Sequence, residues 1–136
     1  MVIIEQHGPS GQLRDFNTIV AFSDELLSVE RWTICIQECL GERAQEIECM
    51  SFPNPITFAA HELRELYAGI YQTIDGWFVG LRDGREWCRL EAVDSTSWDI
   101  SGPESLEKHV LQTYGGRLGP IDEVQPCFCR RPIEGP

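Results

Sequence analysis

Long apolar runs, an export signal and cofactor motifs are all missing from this sequence of 136 residues. No apolar stretch approaches the roughly 20 residues that cross a bilayer, so we expect no membrane span. Residues 1–7 begin with four apolar side chains and then turn polar, without the basic segment and longer apolar run of a signal peptide. The sequence therefore predicts a cytoplasmic protein whose six cysteines are reduced thiols.

Lysine is almost absent, since Lys108 is the only one beside ten arginines. These 11 basic residues stand against 22 acidic ones, which gives a net charge of −11. Residues 115–136 contain three of each sign, so the acidic excess belongs to the folded body. Such a field repels nucleic acid and anionic lipid, and it accelerates encounter with basic proteins. We expect a basic protein partner, with no direct nucleic-acid or membrane binding; the alternative is that the acidity serves solubility alone.

The motifs of common enzyme classes are missing as well. The sequence contains no phosphate-binding loop, no glycine-rich dinucleotide fingerprint and no HExxH zinc motif. It therefore predicts a non-enzymatic function without a cofactor. An enzyme with a thiol or carboxylate site stays as an alternative, because a cysteine can in principle pair with His61 or His109.

Four of the cysteines are possible ligands of a metal ion. Three residues separate Cys35 from Cys39, an acceptable spacing for zinc ligands, and Cys127 and Cys129 can supply two more thiolates. The single residue between Cys127 and Cys129 is atypical of a structural zinc site, however. We therefore predict no metal and keep a zinc-stabilised adaptor as an alternative.

The first half of the chain favours strands. Residues 2–5 form a short apolar strand, and β-branched and aromatic residues at 16–22 predict a second one, followed by a capped helical turn at 23–25. Apolar alternation from residue 32 to residue 36 predicts a third strand, with residues 44–50 as its hairpin partner. In the alternative reading of this region, a helix stacks Glu38, Glu42 and Glu46 on one face.

Two helices are predicted in the second half. Thr57 can cap a helix that continues to about residue 75, because apolar residues recur there at helical spacing. Ser101 and Glu104 form a capping box for another helix, which follows a short strand at 97–100 and ends at Gly115. Residues 1–118 are expected to form one α+β domain, and residues 119–136, rich in proline and glycine, a C-terminal arm or tail.

A hairpin lies between these two helices. Asp83-Gly84 is a strong signal for a two-residue type I′ turn between strands at 77–81 and 86–93. Strands joined by tight turns, without regular alternation of strand and helix, predict an antiparallel sheet of hairpins with two helices packed on one face.

A regular register from that turn assigns the faces of the hairpin. It puts Val79 opposite Cys88 in the core, and it gathers Phe78, Trp87 and Arg89 on the other face. Trp and Arg are frequent interface hot spots, so this patch is a candidate binding surface. The alternatives are that a helix covers the patch as a second core layer, or that Trp87 shields Gly80.

A small acidic chain without catalytic motifs resembles the inhibitors and immunity proteins that bacteria use against nucleases and other toxins. The resemblance is one of general character over the whole chain and includes no family motif. It implies that acidic side chains occupy the partner's basic substrate-binding surface, while aromatic anchors supply affinity. The candidate residues that it implies are Glu38, Glu42, Glu46, Glu48, Glu62 and Glu65 for the acidic field, and Phe78, Trp87 and Arg89 for the anchors. A phage anti-defence protein of the anti-CRISPR type, acting on a nucleic-acid-binding complex, is the alternative.

Overall fold

The computed structural model describes residues 1–119, except for the side chains of residues 22–27. Its elements, in chain order, are β1 (Val2–Glu5), α1 (Phe16–Leu27), β2 (Arg31–Gly41), α2 (Ala44–Ser51), β3 (Ile56–Ala59), α3 (Ala60–Leu66), a 3-10 turn (Tyr67–Gly69), β4 (Ile70–Arg82), β5 (Arg85–Val93), β6 (Ser97–Ser101), α4 (Glu104–Tyr114) and β7 (Arg117–Leu118). The predicted C-terminal arm and the cysteines at 127 and 129 lie outside the described residues.

The seven strands of the described residues form one sheet in the order β3-β2-β4-β5-β6-β1-β7, and every neighbouring pair is antiparallel. The predicted α+β class is therefore confirmed. On one face of the sheet lies the main core, which includes Phe16 of α1, Leu63 of α3 and Val110 of α4. Phe16 stacks on Phe78 of β4, with their ring centroids 4.0 Å apart.

The opposite side of the sheet, which we call the second face, holds a smaller apolar cluster. Cys35, Trp77 and Val79 form it, and Phe52 and Leu81 pack against it. The two clusters are separate because successive side chains of a strand point to opposite sides of the sheet.

The strand predicted at 16–22 is wrong, because these residues begin α1. The carbonyl of Asp15 accepts the N–H of Ile19 at 3.0 Å, which starts the helix. Phe16, Ile19 and Val20 are spaced for one helical face, and all three are buried in the main core. Burial of this face outweighed the strand preference of β-branched and aromatic residues.

The hairpin predicted at 32–50 is only half correct, since β2 is a strand but residues 44–50 belong to the helix α2. Beyond Ile34, β2 has no further pairing with β3. There Ser51 Oγ accepts the N–H of Ile36 at 3.0 Å, and Glu48 Oε2 accepts the N–H of Cys39 at 2.9 Å. Two side chains of α2 therefore accept the backbone N–H groups at the edge of β2 that a return strand would have bonded.

The helix predicted from Thr57 to about residue 75 is too long. Thr57 lies in β3, and α3 starts at Ala60, where the Glu62 carboxylate accepts the N–H of Ala59 at 3.0 Å. After Leu66 and the 3-10 turn, the chain becomes β4, which pairs with β2 from Ile70 onward. Ile70 and Ile74 have helical spacing, but hydrogen-bonded pairing with β2 makes this segment a strand.

The strand at Ser97–Ser101 and the helix α4 confirm the last two predicted elements, and Gly115 ends α4 with a φ of +68°. The predicted capping box is wrong, because the N-cap residue is Pro103, whose carbonyl accepts the N–H of Leu106 at 2.9 Å. Glu104 is the first residue of the helix.

Candidate functional site

The β4–β5 hairpin turns at Asp83-Gly84, as predicted. Both residues have positive φ, 54° and 74°, and Arg82 pairs with Arg85, which is the geometry of a type I′ turn. Two residues further along, the register shifts, because Leu81 pairs with Glu86 but Gly80 pairs with Cys88. Trp87 is thus the extra residue of a β-bulge.

This bulge overturns the predicted faces of the hairpin. Val79 pairs with Arg89 rather than lying opposite Cys88, and Phe78 pairs with Leu90. Phe78 is fully buried in the main core, so it is not available as a binding anchor. Cys88 does lie in the main core as predicted. The proposed grouping of Phe78, Trp87 and Arg89 is wrong, since one inserted residue exchanges the two faces of a strand.

Trp87 and Arg89 have different surroundings. Trp87 is 36% exposed, and the Arg82 guanidinium lies 4.7 Å from the centroid of its ring. Arg89 lies over Trp77 on the second face, 5.5 Å from the ring centroid, and donates to Glu86 at 3.4 Å. The side chains nearest to Gly80 are those of Cys88, Val29 and Trp32, so Trp87 does not shield this glycine. Trp87 remains a candidate anchor by itself.

The six candidate acidic residues lie on three elements and one turn rather than on one helix. Glu38 lies on β2, Glu42 follows it in a turn, and Glu46 is on α2, and all three are exposed. Glu48 is half-buried and accepts the backbone N–H of Cys39, so its carboxylate has a structural role in the described fold. Glu62 and Glu65 are exposed on α3.

A groove of about 330 Å³ lies between α2, β3 and α3, and we call it the α2–α3 groove. The residues that line it are Arg43, Met50, Phe58, Glu62, Glu65 and Leu66. Three of these side chains are apolar, and the two glutamates lie next to them. Arg43 is bound by Glu46 through contacts of 3.0 and 2.7 Å, hydrogen bonds that lower the pKa of the Glu46 carboxyl.

The groove can therefore receive a basic side chain from another protein. The alkyl part of an arginine or lysine can pack on Met50, Phe58 and Leu66, while the charged end meets the carboxylates. The sequence indicated Glu62 and Glu65 as candidates but gave no indication of the apolar lining. Phe58 lay in a segment interpreted as helix, and Met50 in one interpreted as strand, so their convergence had no sequence signal.

A second pocket, of about 400 Å³, lies near the carboxyl end of α4 and is lined in part by His7, Arg14, Tyr114 and Arg117. The Arg14 guanidinium lies 4.9 Å from the centroid of the Tyr114 ring and donates to the Glu5 carbonyl at 3.3 Å. The basic side chains of this pocket come from three separate positions in the chain, so no local sequence pattern indicates the pocket.

A buried polar cluster connects α1 to β4. Asp15 Oδ1 accepts the N–H of Thr73 at 2.8 Å, the Tyr67 hydroxyl bonds the Thr73 hydroxyl, and Gln6 Nε2 donates to the Thr73 carbonyl at 2.8 Å. Burial raises the pKa of Asp15 to about 6, against the opposing effect of its hydrogen bonds from Thr73 and Phe16. The cluster provides hydrogen-bond partners for the backbone N–H and carbonyl of Thr73, which lies in the part of β4 that does not pair with β5.

Comparisons with known proteins place the chain in no family. No family model matches it. No curated protein and no solved structure matches it either. Among the described helices, none is both long and apolar enough to cross a bilayer.

The described cysteines do not converge. A regular strand would put Cys35 and Cys39 on one side, but the register of β2 with β4 shifts on both sides of Glu38. Cys39 therefore lies in the main core, while Cys35 lies on the second face. Burial raises the pKa of the Cys39 and Cys88 thiols to about 12, so both are protonated at neutral pH. Among the side chains of residues 1–21 and 28–119, no three His, Cys, Asp or Glu are grouped to hold a metal ion.

Proposed function

We propose that this protein is an acidic protein-binding inhibitor, of the kind that bacterial immunity proteins represent, which blocks the basic substrate-binding surface of a toxin or nuclease. The observation that carries the proposal is the α2–α3 groove, where the carboxylates of Glu62 and Glu65 lie beside an apolar lining. A basic partner that normally binds nucleic acid offers the arginine and lysine side chains that such a groove accepts.

The charge around the groove supports this proposal. Residues 38–75, which include α2, β3 and α3, contain seven acidic and two basic residues. One of the two bases, Arg43, is already bound to Glu46. The region around the groove therefore attracts cations, and this field steers a basic partner toward it and raises the association rate.

Inhibition then follows from steric blocking. A partner whose basic side chains enter the groove cannot use the same side chains to bind phosphates. The exposed Trp87 is a second candidate contact outside the groove, because large aromatic side chains supply much of the binding energy of interfaces. A phage anti-defence protein would use the same geometry against a nucleic-acid-binding complex, so the identity of the partner distinguishes the two.

Affinity purification from the native host tests the proposal, with Glu65→Arg and Glu104→Arg as matched bait variants. Both glutamates are exposed on helices, and both substitutions change the charge by the same amount, but only Glu65 lines the groove. We expect a basic toxin or nuclease to co-purify with the wild type and with Glu104→Arg. Its apparent affinity for Glu65→Arg should be lower by about tenfold, which corresponds to about 1.4 kcal/mol.

The purified partner should also lose its activity when the wild-type chain is added in equimolar amount. Equal affinity of the partner for the two variants would remove the groove from the proposal. A captured partner that remains fully active in the complex would contradict the inhibitory role.

A further inference from the structure

The second face is crossed by one row of mutually paired residues. From the β7 edge inward, this row is Arg117, Ile3, Asp99, Glu91, Trp77 and Cys35. Its outer part holds the charged Arg117 and Asp99 on either side of Ile3. Its inner part is Glu91, followed by Trp77 and Cys35 of the apolar cluster.

The inner part of this row is deeply buried. Cys35 and Trp77 are each 0% exposed, and Glu91 is 5% exposed. Val79, beside the row in the same apolar cluster, is also 0% exposed. Those apolar side chains of the helices that the structure describes, however, lie in the main core, on the other side of the sheet. On the second face, Phe52 and Leu81 pack against the cluster, and the Arg89 guanidinium lies 5.5 Å from the Trp77 ring centroid. An indole contributes on the order of 150–250 Å² of surface, and a further layer of chain over these single side chains would account for its complete burial.

The chain leaves the described fold beside this face. Gly119 donates its N–H to the Met1 carbonyl at 2.8 Å, directly after the edge strand β7, and 17 residues follow it. From β7 to β4 the sheet is four strand spacings wide, or about 19 Å. Phe128, nine residues after Gly119, can lie about 30 Å away along an extended chain.

The composition of residues 120–136 complements the row. Cys127, Phe128 and Cys129 form an apolar triplet, and Arg130 and Arg131 follow at once. Trp77 and Cys35 offer the matching apolar surface, and the paired acids Glu91 and Asp99 offer the matching charge.

We propose that residues 120–131 dock across the second face of their own chain, with Phe128 against the Trp77 cluster and the arginine pair toward Glu91 and Asp99. The occupant of this face is then an intramolecular segment rather than a second copy or a foreign protein. The docked segment completes a third layer over the sheet and leaves the α2–α3 groove, formed by other elements, open to a partner.

Alkylation of individual cysteines by iodoacetamide, mapped by mass spectrometry, tests the proposal in the full-length chain. Cys35 lies on the second face, Cys88 lies in the main core, and Cys49 is exposed, so one sample reports all three environments. The test variant is Phe128→Ser, and Ile133→Ser, beyond the arginine pair, is its matched control.

We expect Cys35 to react slowly in the wild type and in Ile133→Ser, and about tenfold or more faster in Phe128→Ser because the face opens locally. Cys88 should stay unreactive in all three, which separates local opening from unfolding. If Phe128→Ser unfolds the protein and exposes both Cys35 and Cys88, the double variant Arg130→Glu/Arg131→Glu replaces it. This variant should accelerate the alkylation of Cys35 alone.

Three results would overturn the proposal. A wild-type Cys35 as reactive as Cys49 would show that the face is open. Protection of Cys35 that disappears on dilution would show that a second copy covers the face. Unchanged Cys35 protection in Phe128→Ser and in the arginine variant would show that residues 120–131 do not cover it.

Discussion

Asp15 and Thr73 are joined across 58 positions of sequence by a 2.8 Å hydrogen bond from the Thr73 N–H to Asp15 Oδ1. The bond ties the start of α1 to the part of β4 that extends past its pairing with β5. Because Asp15 is also buried, its carboxyl group couples the stability of the fold to pH.

The contribution of Asp15 to the stability of the fold should fall as the pH rises from about 4 to above 6. Burial raises the pKa of Asp15 from 3.8 to about 6 in the fold, so the folded state holds this proton more tightly than the unfolded state does. The resulting stabilisation is present below pH 4 and is lost as the pH passes 6, a change of about 2–3 kcal/mol. Urea unfolding at several pH values measures it.

Asp15→Asn should remove this part of the pH dependence, because the amide does not titrate. The matched control is Asp83→Asn, in which Asn-Gly preserves the type I′ turn; it should keep the wild-type profile. An Asp15→Asn profile parallel to that of the wild type would show that Asp15 does not carry the coupling.

Ser51→Ala should destabilise the fold by about 1–3 kcal/mol, since it leaves the N–H of Ile36 buried without its acceptor. The control on the same helix is Glu46→Ala, which removes only an exposed ion pair with Arg43 and should cost less than about 1 kcal/mol. Chemical denaturation of both variants provides the comparison. Equal losses would mean that the strand edge does not depend on the Ser51 hydroxyl.

Phe78→Ala and Trp87→Ala should differ in their effect on stability, because Phe78 is a core residue of the hairpin and Trp87 a surface residue. Phe78 is enclosed by Phe16, Tyr67 and Trp98, so its truncation should cost about 3–5 kcal/mol of stability. Trp87→Ala should cost about 1 kcal/mol through its contact with Arg82. If Trp87 is an anchor, the same variant should weaken partner binding by about 2 kcal/mol. Thermal unfolding and calorimetric titration with the partner give the two numbers.

Association with the basic partner should depend strongly on salt. The Debye length shrinks from about 30 Å at 0.01 M to about 8 Å at 0.15 M ionic strength, which screens the acidic region around the groove. Stopped-flow association rates should therefore fall by about tenfold or more over this range, while dissociation rates change less. Rates that do not change with salt would exclude electrostatic steering by this surface.

Local patterns predicted those elements whose geometry needs only neighbouring residues. The turn at Asp83-Gly84 was correct because both positions need positive φ, and the helix before Gly115 because that glycine adopts a φ of +68°. The candidate site was predicted in part: Glu62 and Glu65 line the groove, but Met50 and Phe58 were assigned to the wrong elements. Short apolar runs such as 16–22 fit a helix and a strand equally well, and their type follows from what they pack against.

Composition and turn chemistry act locally, so they were enough to predict an α+β chain with an acidic body. The side of the sheet that each residue of the hairpin takes depends instead on contacts between distant parts of the chain. The bulge at Trp87 puts Phe78 in the core and pairs Arg89 with Val79 on the second face. A single inserted residue of this kind exchanges the two sides of a strand with little local trace, and the packing of the whole sheet selects it.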